Sequence, residues 1–210
     1  MRYLIIVIGK PGSGKSTFIQ LLGTKFQTDG DLRFRTLNDR DILLEMAREP
    51  QSRHLIRPLD SVNFEIVDET AYEVAINRLT SSLSQVEADQ VLLVEFSRRE
   101  YLKAFQSFKD LTANKPFLVI YLNTPFDTCK ERNIQRAISN NAHRVPSDEM
   151  DSYFRVDDLH QLVTSYPQNI VVIENGLGLN ELGHQLEKLW PTLAHTASER
   201  RSNGNHRNFG

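Results

Sequence analysis

The sequence predicts an α/β fold built on a mostly parallel five-stranded sheet. Three observations carry the prediction. Continuous β-branched and aliphatic runs stand at 3–8, 91–95, 117–122 and 170–173; stretches with helical spacing lie between them; and a glycine-rich turn joins the first run to the first helix. Continuous apolar runs suit strands buried on both faces, as a parallel sheet requires. Strands alternating with helices give the crossover connections of such a sheet.

The elements follow in order. Residues 3–8 (YLIIVI) form the first strand, and a helix over 15–25 turns Phe18, Ile19, Leu21 and Leu22 onto the sheet. Asp29-Gly30-Asp31 reads as a turn. A second strand lies near 32–37 and a helix over 39–48, ended by Pro50. Residues 50–63 read as an irregular, basic loop with Arg53, His54 and Arg57. From 64 to 86 apolar residues recur at helical spacing, with a short strand at 64–67 left open. After the strand at 91–95, Ser97 opens a helix and Glu100 completes a capping box. Thr124-Pro125 starts another helix, to about 139, as N-cap and N1 proline. A polar loop at 140–147, short helices at 148–154 and 158–165, a strand at 170–173 and a helix at 180–190 complete the domain, 1–190. Trp190 seals the last helix, and 191–210 read as a disordered polar tail.

Composition bounds the function. The 210 residues carry 25 Lys+Arg against 27 Asp+Glu, and 40% are hydrophobic. Those values exclude disorder as a global description. The three Arg and one Glu of 191–210 leave a charge of −4 on the rest, which gives no general nucleic-acid footprint. The single cysteine, Cys129, excludes an intrachain disulfide. The first apolar run is far too short for a membrane span or a signal-peptide core, so a cytoplasmic protein is expected.

Gly9-Lys10-Pro11-Gly12-Ser13-Gly14-Lys15-Ser16 fits G-x-x-x-x-G-K-[ST] at every fixed position. Chance produces this in roughly 1 in 100 chains of such length. A buried strand before it and an amphipathic helix after it supply the context the motif requires. Glycines let backbone N–H groups close around a polyphosphate, and the helix N-terminus adds positive potential. Lys15 reaches the β- and γ-phosphates, and the Ser16 hydroxyl ligates Mg²⁺. A plain glycine-rich turn is the alternative. The chain has no DxxG, Asn114-Lys115-Pro116-Phe117 lacks the aspartate of NKxD, and no LSGGQ-like stretch occurs. The length leaves no room for the helical domain that follows a typical AAA+ core.

On the P-loop with Thr17, on Leu37-Asn38-Asp39-Arg40-Asp41, and on Cys129–Arg136 followed by His143-Arg144-Val145-Pro146, the chain resembles small P-loop kinases of the nucleoside/nucleotide-kinase kind. Among them it is most similar to the polynucleotide-kinase-like ATP-dependent kinases, which include seryl-tRNA kinase. The resemblance spans about residues 1–190. It implies a three-layer P-loop kinase fold with a short helical lid, here about 133–150, and ATP with Mg²⁺ as cofactors.

It also implies roles. Gly9 to Thr17 would bind nucleotide. Asp39 stands where the family places a general base, with Asp41 as runner-up should the alignment slip by two. The alternative role for Asp39 is to cap the helix that follows it. Arg132 and Arg136, four residues apart on one helix face, would contact ATP phosphates, or form a solvated face with Lys130 and Glu131. Arg144 falls in the lid, and His143 beside it reads as a surface histidine. Glu95 ends a buried strand, where a carboxylate can hold a Mg²⁺-bound water or orient an acceptor. Arg98 contacts the acceptor or merely flanks a helix. Arg53 and Arg57 suggest an acceptor already bearing phosphate, or a solvated surface. Asp29-Gly30-Asp31-Leu32-Arg33 resembles a motif of adenylylsulfate kinases but precedes the second strand, so it reads as a turn. Cys129 reads as core.

Three activities stand open: a kinase for a nucleoside or other metabolite, which the charge favours; a polynucleotide 5′-hydroxyl kinase, which needs a basic channel; and a regulatory nucleotide-binding module using the basic tail. No membrane partner is expected.

Overall fold

A computed structural model describes residues 3–30, 33–83, 90–113, 115–140, 143–176 and 178–198. In chain order these form β1 (Tyr3–Ile8), α1 (Lys15–Lys25), β2 (Phe34–Asn38), α2 (Asp39–Arg48), β3 (Ile56–Pro58), β4 (Phe64–Ile66), α3 (Thr70–Leu83), β5 (Val91–Phe96), α4 (Tyr101–Gln106), α5 (Lys109–Ala113), β6 (Phe117–Asn123), α6 (Phe126–Asn140), α7 (Ser147–Ser152), α8 (Leu159–Ser165), β7 (Ile170–Glu174) and α9 (Leu179–Ser198).

The sheet is five-stranded and parallel, ordered β2-β5-β1-β6-β7. All six residues of β1 are buried. Because side chains alternate across a strand, the run splits between two cores. Tyr3, Ile5 and Val7 meet Phe18 and Leu22 of α1 and Leu182 and Leu186 of α9. Leu4, Ile6 and Ile8 meet Ile76 and Leu79 of α3, Phe105 of α4 and Leu162 of α8. These are the three layers the sequence predicts. A third cluster under α2, α3 and α7 contains Leu43, Phe64, Tyr72, Cys129, Met150 and Phe154. It supports one wall of the site.

The chain leaves β1 toward β2 on one side and later returns to β6 on the other. The end of β1 is therefore a topological switch point, where open α/β sheets leave a crevice for a ligand. The register places Val7 and Asn38 beside Glu95, so the ends of β1, β2 and β5 lie together.

Several local expectations are corrected. The 50–63 loop contains β3, which pairs antiparallel with β4. Ser97 forms no capping box with Glu100, because its hydroxyl donates to Gly9 O at 2.8 Å. Asp158 instead accepts from Tyr101 N and Leu102 N, at 2.6 and 3.0 Å, and caps α4 from across the fold. The Thr124 hydroxyl donates to the carbonyls of Ser13 and Asn175. Helix α9 continues through Pro191 to Ser198, past the end expected at 190; buried Leu193 anchors this last stretch on the core. Residues 199–210, Asp31, Leu32 and Val86 lie outside the described residues. Trp190 packs against Phe26 at 5.4 Å between ring centroids. Among the described residues no helix is long and apolar enough to cross a membrane.

Candidate active site

The loop after β1 is shaped by close approach. Gly12 has φ +83°, and a Cβ there would stand 2.2 Å from the Cys129 carbonyl oxygen of α6. Gly14 has φ +95°, with the Asn175 side chain 2.6 Å from where a Cβ would be. Neither position accommodates an L side chain without moving backbone or a buried amide. Asn175 Nδ2 donates to Ser13 O at 2.7 Å, so the segment after β7 pins the loop. Lys15 Nζ donates to Gly9 O and Lys10 O, at 3.1 and 3.0 Å, lying along the inside of the loop. Burial pulls the Lys15 ammonium below the usual lysine range, and the charges of Glu95 and Asp39 oppose that shift. Lys10 pairs with Asp157 at 2.5 Å.

Ser16 begins α1 and donates its hydroxyl to Glu95 Oε1 at 2.8 Å. Burial pushes the Glu95 carboxyl up, opposed chiefly by Lys15. The pair offers a hydroxyl and a carboxylate oxygen at the loop. This hard oxygen set fits Mg²⁺, which keeps several waters and takes its other ligands from phosphates. Among the described residues no group of three or more His, Cys, Asp or Glu forms a self-sufficient metal cage.

Asp39 is the first residue of α2, yet it is not the cap. Asn38 is: its Oδ1 accepts from Asp41 N at 2.8 Å. The Asp39 carboxylate accepts from Arg98 Nη1 instead. Arg98 is buried, and its other bonds go to Ser97 O (2.6 Å) and Tyr72 O (3.0 Å). Its guanidinium lies 4.6 Å from the Tyr72 ring centroid. The Tyr72 hydroxyl donates to Glu149 Oε1 of α7. A chain of contacts therefore runs Asp39, Arg98, Tyr72, Glu149.

These groups face one cavity of about 110 Å³. The P-loop from Pro11 to Ser16, Glu95 and Arg136 line it, with Asp39, Arg40, Arg98, Tyr72 and Glu149. His143, Val145 and Pro146 cover it, in the region expected as the lid. Asn133 holds that cover, donating Nδ2 to Val145 O (2.7 Å) and accepting from Val145 N (3.1 Å).

The predicted residues thus divide. Lys15, Ser16, Asp39, Glu95, Arg98 and Arg136 converge on the cavity. Arg132 does not line it; its Nη1 donates to Asn175 O at 3.4 Å. Asp41 is exposed and bound to the Asn38 side chain. Arg53 is exposed, and Arg57 pairs with Glu65 at 3.1 Å, so the basic loop turns its charges away from the cavity. Arg144 is exposed and meets Asn63 only through its backbone N–H. His143 is half-buried rather than fully exposed. It stacks on Phe64 at 4.5 Å, and burial lowers its pKa to about 4. Tyr72 and Glu149 carry no motif and are found only by their convergence, and Arg40, within the stretch after β2, has no role assigned to it there.

None of the curated proteins matches the chain in sequence. A solved sugar kinase from Janibacter sp. HTCC2649 is similar in fold, with TM-score 0.57 at 14% identity, covering 95% of this chain and all (100%) of its own. A gluconokinase from Sinorhizobium meliloti 1021 is similar with TM-score 0.58 at 14% identity, covering 98% of each chain. At that identity the likeness shows the fold alone, and the fold is that of P-loop kinase structures. An AAA domain family model matches residues 4–156, from β1 through the P-loop, the Asp39 region and α7. Length set aside only AAA+ modules with an added helical domain, whereas the match concerns the P-loop core. The chain belongs to this AAA domain family of P-loop proteins.

Proposed function

We propose that the protein is a phosphotransferase that moves the γ-phosphate of Mg-ATP to a hydroxyl of a small-molecule acceptor. One observation carries the reading: Asp39 faces the same covered cavity as Lys15, Ser16 and Glu95, with space bounded by Tyr72 and Glu149 beyond the P-loop. A module that only bound or hydrolysed nucleotide would need no buried carboxylate held by an arginine in that cavity. The sugar kinase and gluconokinase that share the fold support a small acceptor. So does the charge of −4 on residues 1–190, which gives no general nucleic-acid footprint.

In this mechanism the loop from Gly9 to Thr17 holds the phosphates through backbone N–H groups, and Lys15 exchanges its two carbonyl partners for phosphate oxygens. Ser16 and Glu95 would hold Mg²⁺, which neutralises phosphate charge. Asp39, held in place by Arg98, orients the acceptor hydroxyl and takes its proton as oxygen bonds to the γ-phosphorus and ADP departs. Arg136 supplies positive charge to the equatorial oxygens. His143, Val145 and Pro146 keep water from competing with the acceptor.

The experiment is transfer from γ-labelled ATP into a panel of sugars, nucleosides, nucleotides and 5′-hydroxyl oligonucleotides. Label in a small hydroxyl acceptor, lost in Lys15→Ala, supports the reading. Label confined to the oligonucleotides would favour a polynucleotide 5′-kinase. Label found only as free phosphate would favour a regulatory NTPase.

A further inference from the structure

The cavity holds a cation that the fold leaves unused. Arg40, the second residue of α2, lines it beside Asp39. Its Nε is buried without a hydrogen-bond partner among the described residues. Its Nη1 turns to Asp41, but at 3.9 Å, and that carboxylate is 64% exposed and already bonded to Asn38. A pair so long and so wet contributes little. A buried N–H without an acceptor costs stability, so packing does not account for Arg40. The other charges facing the cavity are engaged. Arg98 donates to Asp39. Lys15 lies along two loop carbonyls, and with Arg136 it acts on Glu95 at the phosphate end. Glu149 accepts from Tyr72, and the charges that act on it are the carboxylates of Asp148, Glu69 and Glu65, not Arg40. His143, at the cover, feels both Arg40 and Arg136 and is neutral at pH 7.

The geometry points to Arg40 as the residue that selects the acceptor, through a carboxylate that the acceptor carries near its reacting hydroxyl. This rests on the phosphotransferase reading above. Asp39 and Arg40 are consecutive and face one cavity of about 110 Å³, so a hydroxyl held at Asp39 and an anion held at Arg40 belong to one small molecule. With Nη1 turned to Asp41, the guanidinium keeps its Nε–H and Nη2–H edge, a planar fork that matches the two oxygens of a carboxylate. One guanidinium beside a neutral imidazole balances one negative charge. A phosphate dianion would bring a second charge near Glu149, with Arg136 committed to the transferring phosphate, and a buried charge left unbalanced is costly. The anion that the basic loop suggests in sequence is thus met by Arg40 rather than by Arg53 or Arg57, and it is a carboxylate rather than a phosphate.

The test uses the full chain, Mg-ATP and matched acceptors: sugar acids and a nucleoside 5′-carboxylate, each against the neutral alcohol of the same skeleton and against the phosphate ester of that alcohol. The wild-type protein is expected to favour the acid over both by at least about 100-fold in kcat/KM. Arg40→Gln is expected to raise the acid's KM about 30-fold, with the loss in KM rather than kcat and with nucleotide affinity within about threefold of wild type. Arg40→Lys, which keeps the charge without the fork, is expected to recover part of that loss. Equal or better use of the neutral alcohol by the wild type overturns the assignment while leaving the phosphotransferase reading intact, and so does a preference for the phosphate ester. An Arg40→Gln variant that weakens nucleotide binding, or lowers kcat at unchanged KM, puts Arg40 on the ATP phosphates and overturns it too. Hydrolysis of ATP with no transfer to any acceptor removes the parent reading, and this inference with it.

Discussion

Replacing Arg98 with methionine tests the pairing that positions Asp39. The Arg98 side chain is 4% exposed and that of Asp39 11%, so the two charges meet out of water. Methionine fills similar volume but leaves the Asp39 carboxylate buried without its partner, and removes the guanidinium's bonds to the carbonyls of Ser97 and Tyr72. Breaking a buried pair from one side costs about 3–5 kcal/mol. Asp39→Asn keeps an oxygen for the guanidinium and is expected to cost about 1–2 kcal/mol. With both changes made, no isolated charge remains, so the double variant falls short of the sum by about 2 kcal/mol. Urea unfolding followed by the fluorescence of Trp190, the one tryptophan, measures all four corners of the cycle. Costs that add within about 0.5 kcal/mol would refute the coupling, and with it the claim that Arg98 aims the carboxylate.

Three further outcomes follow from the geometry. Gly12→Ala places a methyl 2.2 Å from the Cys129 carbonyl at φ +83°, so nucleotide affinity is expected to drop at least about 10-fold in a fluorescent-nucleotide titration; unchanged affinity would contradict the loop shape. His143 has its pKa lowered from 6.5 to about 4, so the unfolded chain binds the extra proton first as pH falls. Stability present above pH 6.5 is therefore lost progressively toward pH 4, by about 2 kcal/mol after allowance for partial exposure, and His143→Phe should flatten that slope in denaturation curves taken across the window. Asn133→Ala removes both bonds to Val145 and is expected to destabilise by about 2 kcal/mol while speeding amide exchange at Val145; protected exchange in the variant would show that other contacts hold the cover.

What could be read from the sequence has a physical pattern. The runs at Tyr3–Ile8 and Val91–Phe96 are buried on both faces, so their composition alone marks them as central strands. The P-loop is legible because its chemistry fixes glycines and a lysine at set spacing within a few residues. Asp39 is legible for a related reason, since it directly follows a strand that ends at the site. The rest depends on distant parts of the chain. Ser97 looks like a cap in sequence, but the Gly9 carbonyl, 88 positions away, takes its hydroxyl. Arg53 and Arg57 read as basic, but sequence does not say toward what, and the β3–β4 pairing sends Arg57 to Glu65. Glu149 lies in an acidic stretch that resembles a solvated helix face. Only the packing of α7 over Tyr72 turns it inward. Proline at 191 suggests a helix end, yet Leu193 keeps enough apolar contact to carry the helix on.

The central claim is that Asp39 serves an acceptor hydroxyl rather than the nucleotide or the fold. Single-turnover transfer from γ-labelled ATP, with nucleotide affinity measured in parallel, compares wild type with Asp39→Asn most directly. The account predicts a fall in the transfer rate of about 10²–10⁴-fold with nucleotide affinity within about threefold of wild type. Transfer or phosphate release that proceeds at the wild-type rate in Asp39→Asn would contradict it.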